Sequence, residues 1–159
     1  MTNPDFIYTS YIRTTPEKAW SAITNPEFTR QYWAHENVSE WKKGSKWQHV
    51  RDDDQRTVDI VGSVLEATPP NRLVVTWARA SDPDSLAKTS RVTFEIEAIE
   101  DMVQLTVTHS DFKADADMAR SVTGGWPRVL ASMKSFLETG KALNTWAGHA
   151  RNTAKSSAA

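Results

Sequence analysis

The fold is decided by residues 124–140, GGWPRVLASMKSFLETG, and by the segment MVQLTVTH at residues 102–109 that precedes them. Apolar residues in the first stretch recur at spacings of three and four, which predicts an amphipathic α-helix; they are Trp126, Val129, Leu130, Met133, Phe136 and Leu137. Gly140 is expected to cap the end of this helix. Apolar and polar residues alternate in the second segment, which predicts a β-strand. One long helix after a series of antiparallel strands is typical of a sheet that curls around the helix.

The residues just before this helix predict an interruption. Pro127 lacks the amide hydrogen that a helix interior needs, and Gly124 and Gly125 are poor helix formers. We therefore expect the main helix to be regular only from Trp126 onwards. The glycine pair would then act as a hinge, and residues 110–123 would form a loop that gates entry to a cavity.

The elements nearer the N-terminus follow from local signals. Residues 6–12 are rich in aromatic and β-branched side chains and predict a first strand. Two helix starts follow, TPE at 15–17 and NPE at 25–27, each with a capping side chain, a proline and an acid in the first turn. The three aspartates at 52–54 predict a solvated hairpin tip. Further strands are predicted from about residue 38 and at 46–50, 57–67, 73–77, 92–96 and 102–109.

These elements together predict an α+β domain. A curved antiparallel sheet of about six to seven strands would wrap around a long C-terminal helix, with two short helices after the first strand. We assign residues 1–146 to this domain. The small and polar side chains of residues 147–159 predict a disordered tail.

Composition excludes several classes of function. The chain has 159 residues and a net charge of −1, so no electrostatic field favours nucleic acid or an anionic membrane. It contains no cysteine, which excludes disulfides and thiolate metal sites and suits a cytoplasmic protein. The N-terminus shows no secretory signal and no segment is apolar enough to span a bilayer, so we expect a cytoplasmic location without membrane contact. No phosphate-binding or nucleophile motif is present, and we expect no cofactor and no metal.

An ordered set of short segments resembles a known family. The segments are TPEKAW at 15–20, NPEF at 25–28, QYW at 31–33, EATPPNRL at 66–73 and residues 125–140. In this order they resemble the bacterial single-domain proteins related to the C-terminal domain of the activator of the heat-shock chaperone ATPase. Those proteins belong to the START-like superfamily, which includes the major birch-pollen allergen and polyketide cyclases. The resemblance implies a helix-grip fold with an apolar ligand held between the sheet and the long helix.

Inward-facing residues of the predicted strands and helix are therefore the candidates for binding a small hydrophobic or aromatic ligand. Parity along the strands and the apolar stripe of the helix select most of them, and the resemblance places Trp33 near the cavity mouth. The candidates are Trp33, Trp47, His49, Trp77, Phe94, His109, Trp126, Leu130 and Met133. The alternative interpretation is that these side chains, including several of the seven tryptophans, fill a packed core.

Histidines are the candidates for catalysis. His49 and His109 share the apolar parity of their strands, so both are expected to face inward. Asp111 follows His109 by two residues and could orient it as a general base. The spacing of the histidines gives no short zinc motif.

Three hypotheses about function follow. The first is a carrier or stress-related protein that binds a small apolar ligand. The second is an enzyme of the cyclase or hydrolase kind that uses His109 or His49. The third is a partner-binding module, which would bind a chaperone or another protein, or form a homodimer through exposed aromatic residues such as Trp41 and Trp146. Contact with a chaperone is not supported, because the eukaryotic activator makes most of that contact through a separate N-terminal domain for which this chain has no room.

Overall fold

A seven-stranded antiparallel sheet carries the fold in the computed structural model, which describes residues 3–143. The elements in chain order are β1 (Phe6–Ile12), α1 (Pro16–Thr24), α2 (Pro26–Trp33), β2 (His35–Ser39), β3 (Lys46–Arg51), β4 (Val58–Thr68), β5 (Arg72–Arg79), β6 (Ser90–Ile99), β7 (Met102–Ser110) and α3 (Ala116–Thr139). The strand order across the sheet is β1-β7-β6-β5-β4-β3-β2. The predicted α+β class, with two short helices after the first strand and a long helix at the end, is confirmed.

The two short helices begin where their capping residues predict. The backbone N–H of Lys18 donates to Thr15 Oγ1 at 3.2 Å, and that of Glu27 donates to Asn25 Oδ1 at 3.0 Å. Proline is at the start of each helix, where the missing amide hydrogen is tolerated. The second helix ends at Trp33, because Ala34 adopts a left-handed conformation with φ of 59°. The chain then enters β2 directly at His35.

The long helix differs from its prediction at its beginning. It starts at Ala116, where Asp115 Oδ1 accepts from the backbone N–H of Met118 at 3.1 Å, and it continues through the glycine pair and Pro127. The expected break at the glycine pair is wrong, and most of the expected gating loop, residues 116–123, is regular helix. Pro127 leaves the carbonyl of Thr123 without its usual donor. Apolar side chains on both sides of the proline are buried, and their packing outweighs that local loss.

The core lies between the inner face of the sheet and α3. The alternating residues of β6 and β7 point into it as predicted and are almost completely buried: Val92, Phe94, Ile96, Val103, Leu105 and Val107. Strand β4 comes unusually close to β5 at Gly62, where an added Cβ would lie 1.9 Å from the main-chain oxygen of Thr76. The same Thr76 oxygen accepts from Trp47 Nε1 at 2.8 Å. Glycine at position 62 therefore leaves the room that the indole of Trp47 needs in the core.

The predicted surface for self-association is only partly described. Trp41 is partly buried, and its Nε1 donates to the main-chain oxygen of Thr24 at 2.8 Å. It is therefore not the exposed aromatic that the dimer hypothesis assumed. Trp146 and the predicted tail of residues 147–159 lie outside the described residues. Within residues 3–143, no helix is long and apolar enough to cross a membrane.

Candidate functional site

Side chains fill the space directly beneath α3, where the sequence predicted a cavity. The ring of Trp77 lies in the middle, with ring centroids 5.3 Å from Trp47, 5.6 Å from Trp126 and 5.4 Å from His109. A void of about 10 Å³ remains beside Trp77, lined also by Trp47 and Phe94. That volume is enough for about one water molecule. The interior under the helix is thus a packed aromatic core.

The open volume lies at the edge of this core. A half-open cleft of about 600 Å³ separates the middle of α3 from the end of α2, the start of β2 and the β3–β4 hairpin. Its aromatic lining consists of Trp33, Trp77 and Trp126, three of the predicted ligand-binding residues. Their rings touch, with centroids 5.5 Å apart for Trp33 and Trp126. Because the three indoles are nearly buried yet line the cleft, they join the apolar core to an opening at the surface.

The other predicted site residues are placed differently. Trp47, His49, Phe94, His109, Leu130 and Met133 are buried in the core and are not part of the cleft lining. Trp47 and Phe94 face the small void instead. The parity of the strands and helix correctly predicted that these side chains point inward, but inward residues are divided between packed interior and cleft.

His109 is held by a complete chain of hydrogen bonds. The indole Nε1–H of Trp126 donates to His109 Nδ1 at 3.1 Å, so this nitrogen carries no hydrogen. The other nitrogen, Nε2, therefore donates to Ser90 Oγ at 2.7 Å, and that hydroxyl donates to the main-chain oxygen of Trp77 at 3.2 Å. Burial lowers the pKa of His109 to about 3, so the ring is neutral at physiological pH.

Asp111 does not take part in this chain, contrary to the expected pair. Its carboxylate is half exposed and accepts from Lys113 Nζ at 3.4 Å. Asp111 adopts a left-handed backbone conformation with φ of 61° directly after β7, which turns the chain away from the strand. Both nitrogens of His109 are already bonded, so no lone pair is left with which it could take a proton from a substrate.

His49 is fixed by a neighbouring amide. Asn37 Nδ2 donates to the main-chain oxygen of Ile23 at 3.0 Å, which leaves Asn37 Oδ1 to accept from His49 Nδ1 at 2.6 Å. Burial, and then the charge of His35, lower the pKa of His49 well below its usual value, against a smaller opposing effect of Asp59. The rings of His35 and His49 are parallel, with centroids 4.0 Å apart. Of the two, His35 lines the cleft.

The sequence analysis missed a polar cluster in the cleft wall. Asp59 Oδ2 accepts from His35 Nε2 and from Arg51 Nε, each at 2.8 Å, and His35 Nδ1 is 3.1 Å from the main-chain oxygen of Trp33. Burial alone would raise the pKa of Asp59, but the hydrogen bonds and charges of His35 and Arg51 hold it well below its usual range. The signal that could have found the cluster is strand register, since His35 pairs with Arg51 across β2 and β3.

The opposite wall of the cleft is a face of α3 on which two positions carry no side chain. Gly124 and Gly125 lie on it, and a Cβ built on either would meet no heavy atom within 4 Å. Arg128 lies one turn further on; it is exposed and has no ion-pair partner within residues 3–143. Asp52 and Asp53 lie across the cleft on the hairpin. The cleft thus combines an aromatic floor, one polar wall whose carboxylate is already paired, and one helical wall that is bare at the two glycines.

Comparison with known proteins gives the family. The profile described as "Activator of Hsp90 ATPase homolog 1-like protein" matches residues 13–138, most of the chain. The matched region contains α1, α2, six of the seven strands in full and nearly all of α3, so it covers every wall of the cleft. No protein with a curated description matches this chain.

Solved structures support the same fold. The Aha1 dimer from Colwellia psychrerythraea has a TM-score of 0.71 at 21% identity and covers 88% of this chain and 100% of its own. MLL2253 from Mesorhizobium loti has a TM-score of 0.70 at 23% identity, with coverage of 84% and 96%. CalU16 from Micromonospora echinospora has a TM-score of 0.66 at 20% identity, with coverage of 86% and 77%. With the family match and the sheet wrapped on α3, the chain belongs to the Activator of Hsp90 ATPase homolog 1-like family and has its START-like helix-grip fold.

Proposed function

We propose that this protein binds a small ligand with an aromatic or apolar body in the cleft between α3 and the β3–β4 hairpin. The observation that carries the proposal is the aromatic lining of Trp33, Trp77 and Trp126 in a half-open volume of about 600 Å³. Pockets of this size with apolar lining and a few polar groups are typical of small-molecule sites. The START-like fold is compatible with this function but does not identify the ligand.

The polar groups of the cleft suggest how a ligand would be oriented. The carboxylate of Asp59 is already paired with Arg51 and hydrogen-bonded to His35, so this wall offers few free donors. Arg128 has no partner within the described residues and lies at the exposed edge. A ligand would therefore place its apolar body on the indoles and any anionic group toward Arg128, where the charge remains partly solvated.

A histidine-based enzyme is the weaker candidate. The hydrogen bonds of His109 leave it no free lone pair, and His49 lies outside the cleft lining. Among the described residues, His35 is the imidazole that lines the cleft, and both of its nitrogens are hydrogen-bonded. A catalytic histidine would first have to break one of these hydrogen bonds, whereas ligand binding requires no such change.

Blocking the cleft tests the proposal. Ser121 and Thr123 are both exposed on α3, but only Ser121 lines the cleft. Ser121→Trp should therefore abolish the enhanced fluorescence of the probe 1-anilinonaphthalene-8-sulfonate, while the control Thr123→Trp should preserve it. Mass spectrometry of protein purified from cells should find a co-purifying small molecule that the Ser121→Trp variant lacks. If neither variant affects probe binding, or the native protein binds no probe, the cleft is not a ligand site.

A further inference from the structure

We propose that Gly124, Gly125 and the indole N–H of Trp77 set the specificity of the cleft, and that its occupant is a flat ring system carrying a hydrogen-bond acceptor. This inference rests on the proposed binding function and adds the class of ligand. Two independent features carry it: a glycine pair that the fold does not require, and a buried donor for which residues 3–143 provide no acceptor.

The glycine pair is unexplained by the backbone. Glycine in the interior of a helix is less stable than alanine, because it loses more conformational freedom on folding. Glycine is required where φ is positive, but neither Gly124 nor Gly125 is among the residues with positive φ. Both lie well inside α3, seven or more residues from either end.

Packing does not require the glycine pair either. At Gly62 an added Cβ would meet the backbone at 1.9 Å, which explains glycine there. At Gly124 and Gly125 an added Cβ would enter open space, and that space is the cleft. The chain therefore keeps a bare strip of helix backbone facing the aromatic floor at the expense of helix stability. A bare strip opposite indole rings suits a thin, planar occupant better than a bulky one.

The second feature is the indole of Trp77. Its side chain is only 6% exposed and it lines the cleft, yet Nε1 has no hydrogen-bond partner among the described residues. The indoles of Trp41, Trp47 and Trp126 all donate to a protein acceptor. A buried donor without an acceptor is unfavourable, so an acceptor from outside the described residues would stabilise it. Less than 1 Å² of Nε1 is accessible, so an oxygen or nitrogen atom on the occupant would reach it once the edge of the Trp77 ring turns toward the cleft.

Two matched probes test the need for an acceptor. Fluorenone and fluorene are both planar and nearly identical in shape, but only fluorenone has a carbonyl oxygen. We expect fluorenone to bind about fivefold to tenfold more tightly than fluorene, the value of one hydrogen bond. The preference should disappear in Trp77→Phe. In a nitrogen–proton correlation spectrum, the indole signal that Trp77→Phe removes should shift with fluorenone and not with fluorene.

The glycine pair is tested with the same probe. Gly124→Ala and Gly125→Ala should each raise the free energy of unfolding and weaken fluorenone binding, and the double variant should weaken it more. Thr123→Ala is the matched control, because it also improves helix propensity on α3 but lies outside the cleft lining. It should stabilise the protein and leave fluorenone affinity unchanged.

The possible outcomes separate the two proposals. If neither fluorenone nor fluorene binds, the cleft is not a ligand site and the proposed function fails. If both bind equally and the Trp77 signal does not move, the cleft binds ligands but the donor is satisfied by a single water in the 10 Å³ void, and the acceptor requirement is wrong. If the glycine variants bind fluorenone as tightly as the native protein, the bare strip does not contact the occupant.

Discussion

Acidification from pH 7 to pH 5 should destabilise the protein through His109. Burial lowers the pKa of His109 to about 3 in the folded protein, whereas an unfolded histidine titrates near 6.5. Between these values only the unfolded chain binds the proton. The stabilisation is therefore complete above pH 6.5 and is lost as the pH falls towards 3. At pH 5 the loss from His109 alone is about 2 kcal/mol.

The hydrogen bonds explain why the folded protein resists the proton. A proton on His109 would have to sit on Nδ1, which already accepts from Trp126 Nε1. Two donors would then face each other in a buried site. The lowered pKa of His49 acts in the same direction and adds to the loss of stability on acidification. Asp59 also has a lowered pKa, but an unfolded aspartate titrates near 3.9, so it contributes little at pH 5.

The assay is urea unfolding at pH 7 and pH 5, followed by far-ultraviolet circular dichroism, for the native protein and for His109→Gln. Glutamine offers one acceptor and one donor, so it can keep the bonds to Trp126 and Ser90, but it does not titrate. Between pH 7 and pH 5, the free energy of unfolding should fall by about 2 kcal/mol more in the native protein than in the variant. Since His49 is present in both proteins, its contribution cancels. Equal losses in the two proteins would refute the assignment of a neutral, buried His109.

Three further substitutions test other parts of the structure by chemical unfolding. Gly62→Ala should destabilise by about 3 kcal/mol, because its Cβ would lie 1.9 Å from Thr76 O; a change below about 1 kcal/mol would contradict this close approach. Trp126→Ala should lower the free energy of unfolding by about 3 kcal/mol, the lower end of the range for a buried tryptophan, because the space left by the indole joins the open cleft. A loss of about 5 kcal/mol would mean that the cleft is closed at this position. Asn25→Ala should cost about 1 kcal/mol through loss of the cap on α2, and an unchanged stability would show that the cap is not formed.

Local patterns in the sequence were sufficient to predict the sheet and the short helices. The alternation of apolar and polar residues predicted the inward faces of β6 and β7. A shift of either strand by one residue would move its apolar side chains to the solvent-exposed face. The caps at Thr15 and Asn25 fixed where α1 and α2 begin, since each satisfies a backbone donor within three residues. Such features depend on near neighbours in the chain and need no knowledge of the fold.

The beginning of α3 and the polar wall of the cleft depended on contacts between distant segments. Local propensity favoured a break at the glycine pair, but buried residues on both sides of it, such as Val122 and Val129, hold one continuous helix against the sheet. His35 and Asp59 are 24 positions apart, and they meet only because β2, β3 and β4 are neighbours in the sheet. Strand parity alone does not give this register.

The division of inward residues between core and cleft could not be predicted for a further reason. Parity states which side of the sheet a side chain occupies, but open volume depends on how the rings of several residues pack together. Trp47 and Trp77 have the same parity and touch, yet only Trp77 reaches the cleft, while Trp47 is held in the core by its bond to Thr76. Each ring position is set by partners on other strands.

At the cleft, the chain departs from the choices that would make its fold most stable. Away from the cleft, Thr15 and Asn25 cap the two short helices, the indoles of Trp41 and Trp47 donate to backbone oxygens, and glycine at position 62 matches a close backbone contact. At the cleft two local rules are broken side by side, by helix-interior glycines with free space above them and by an unpaired donor on Trp77. Departures from local stability that coincide in space are expected at functional sites. The coincidence favours a site formed for binding over an accidental gap, because a packing defect alone would leave no reason for the glycines and the side chain of Trp77 to line the same opening.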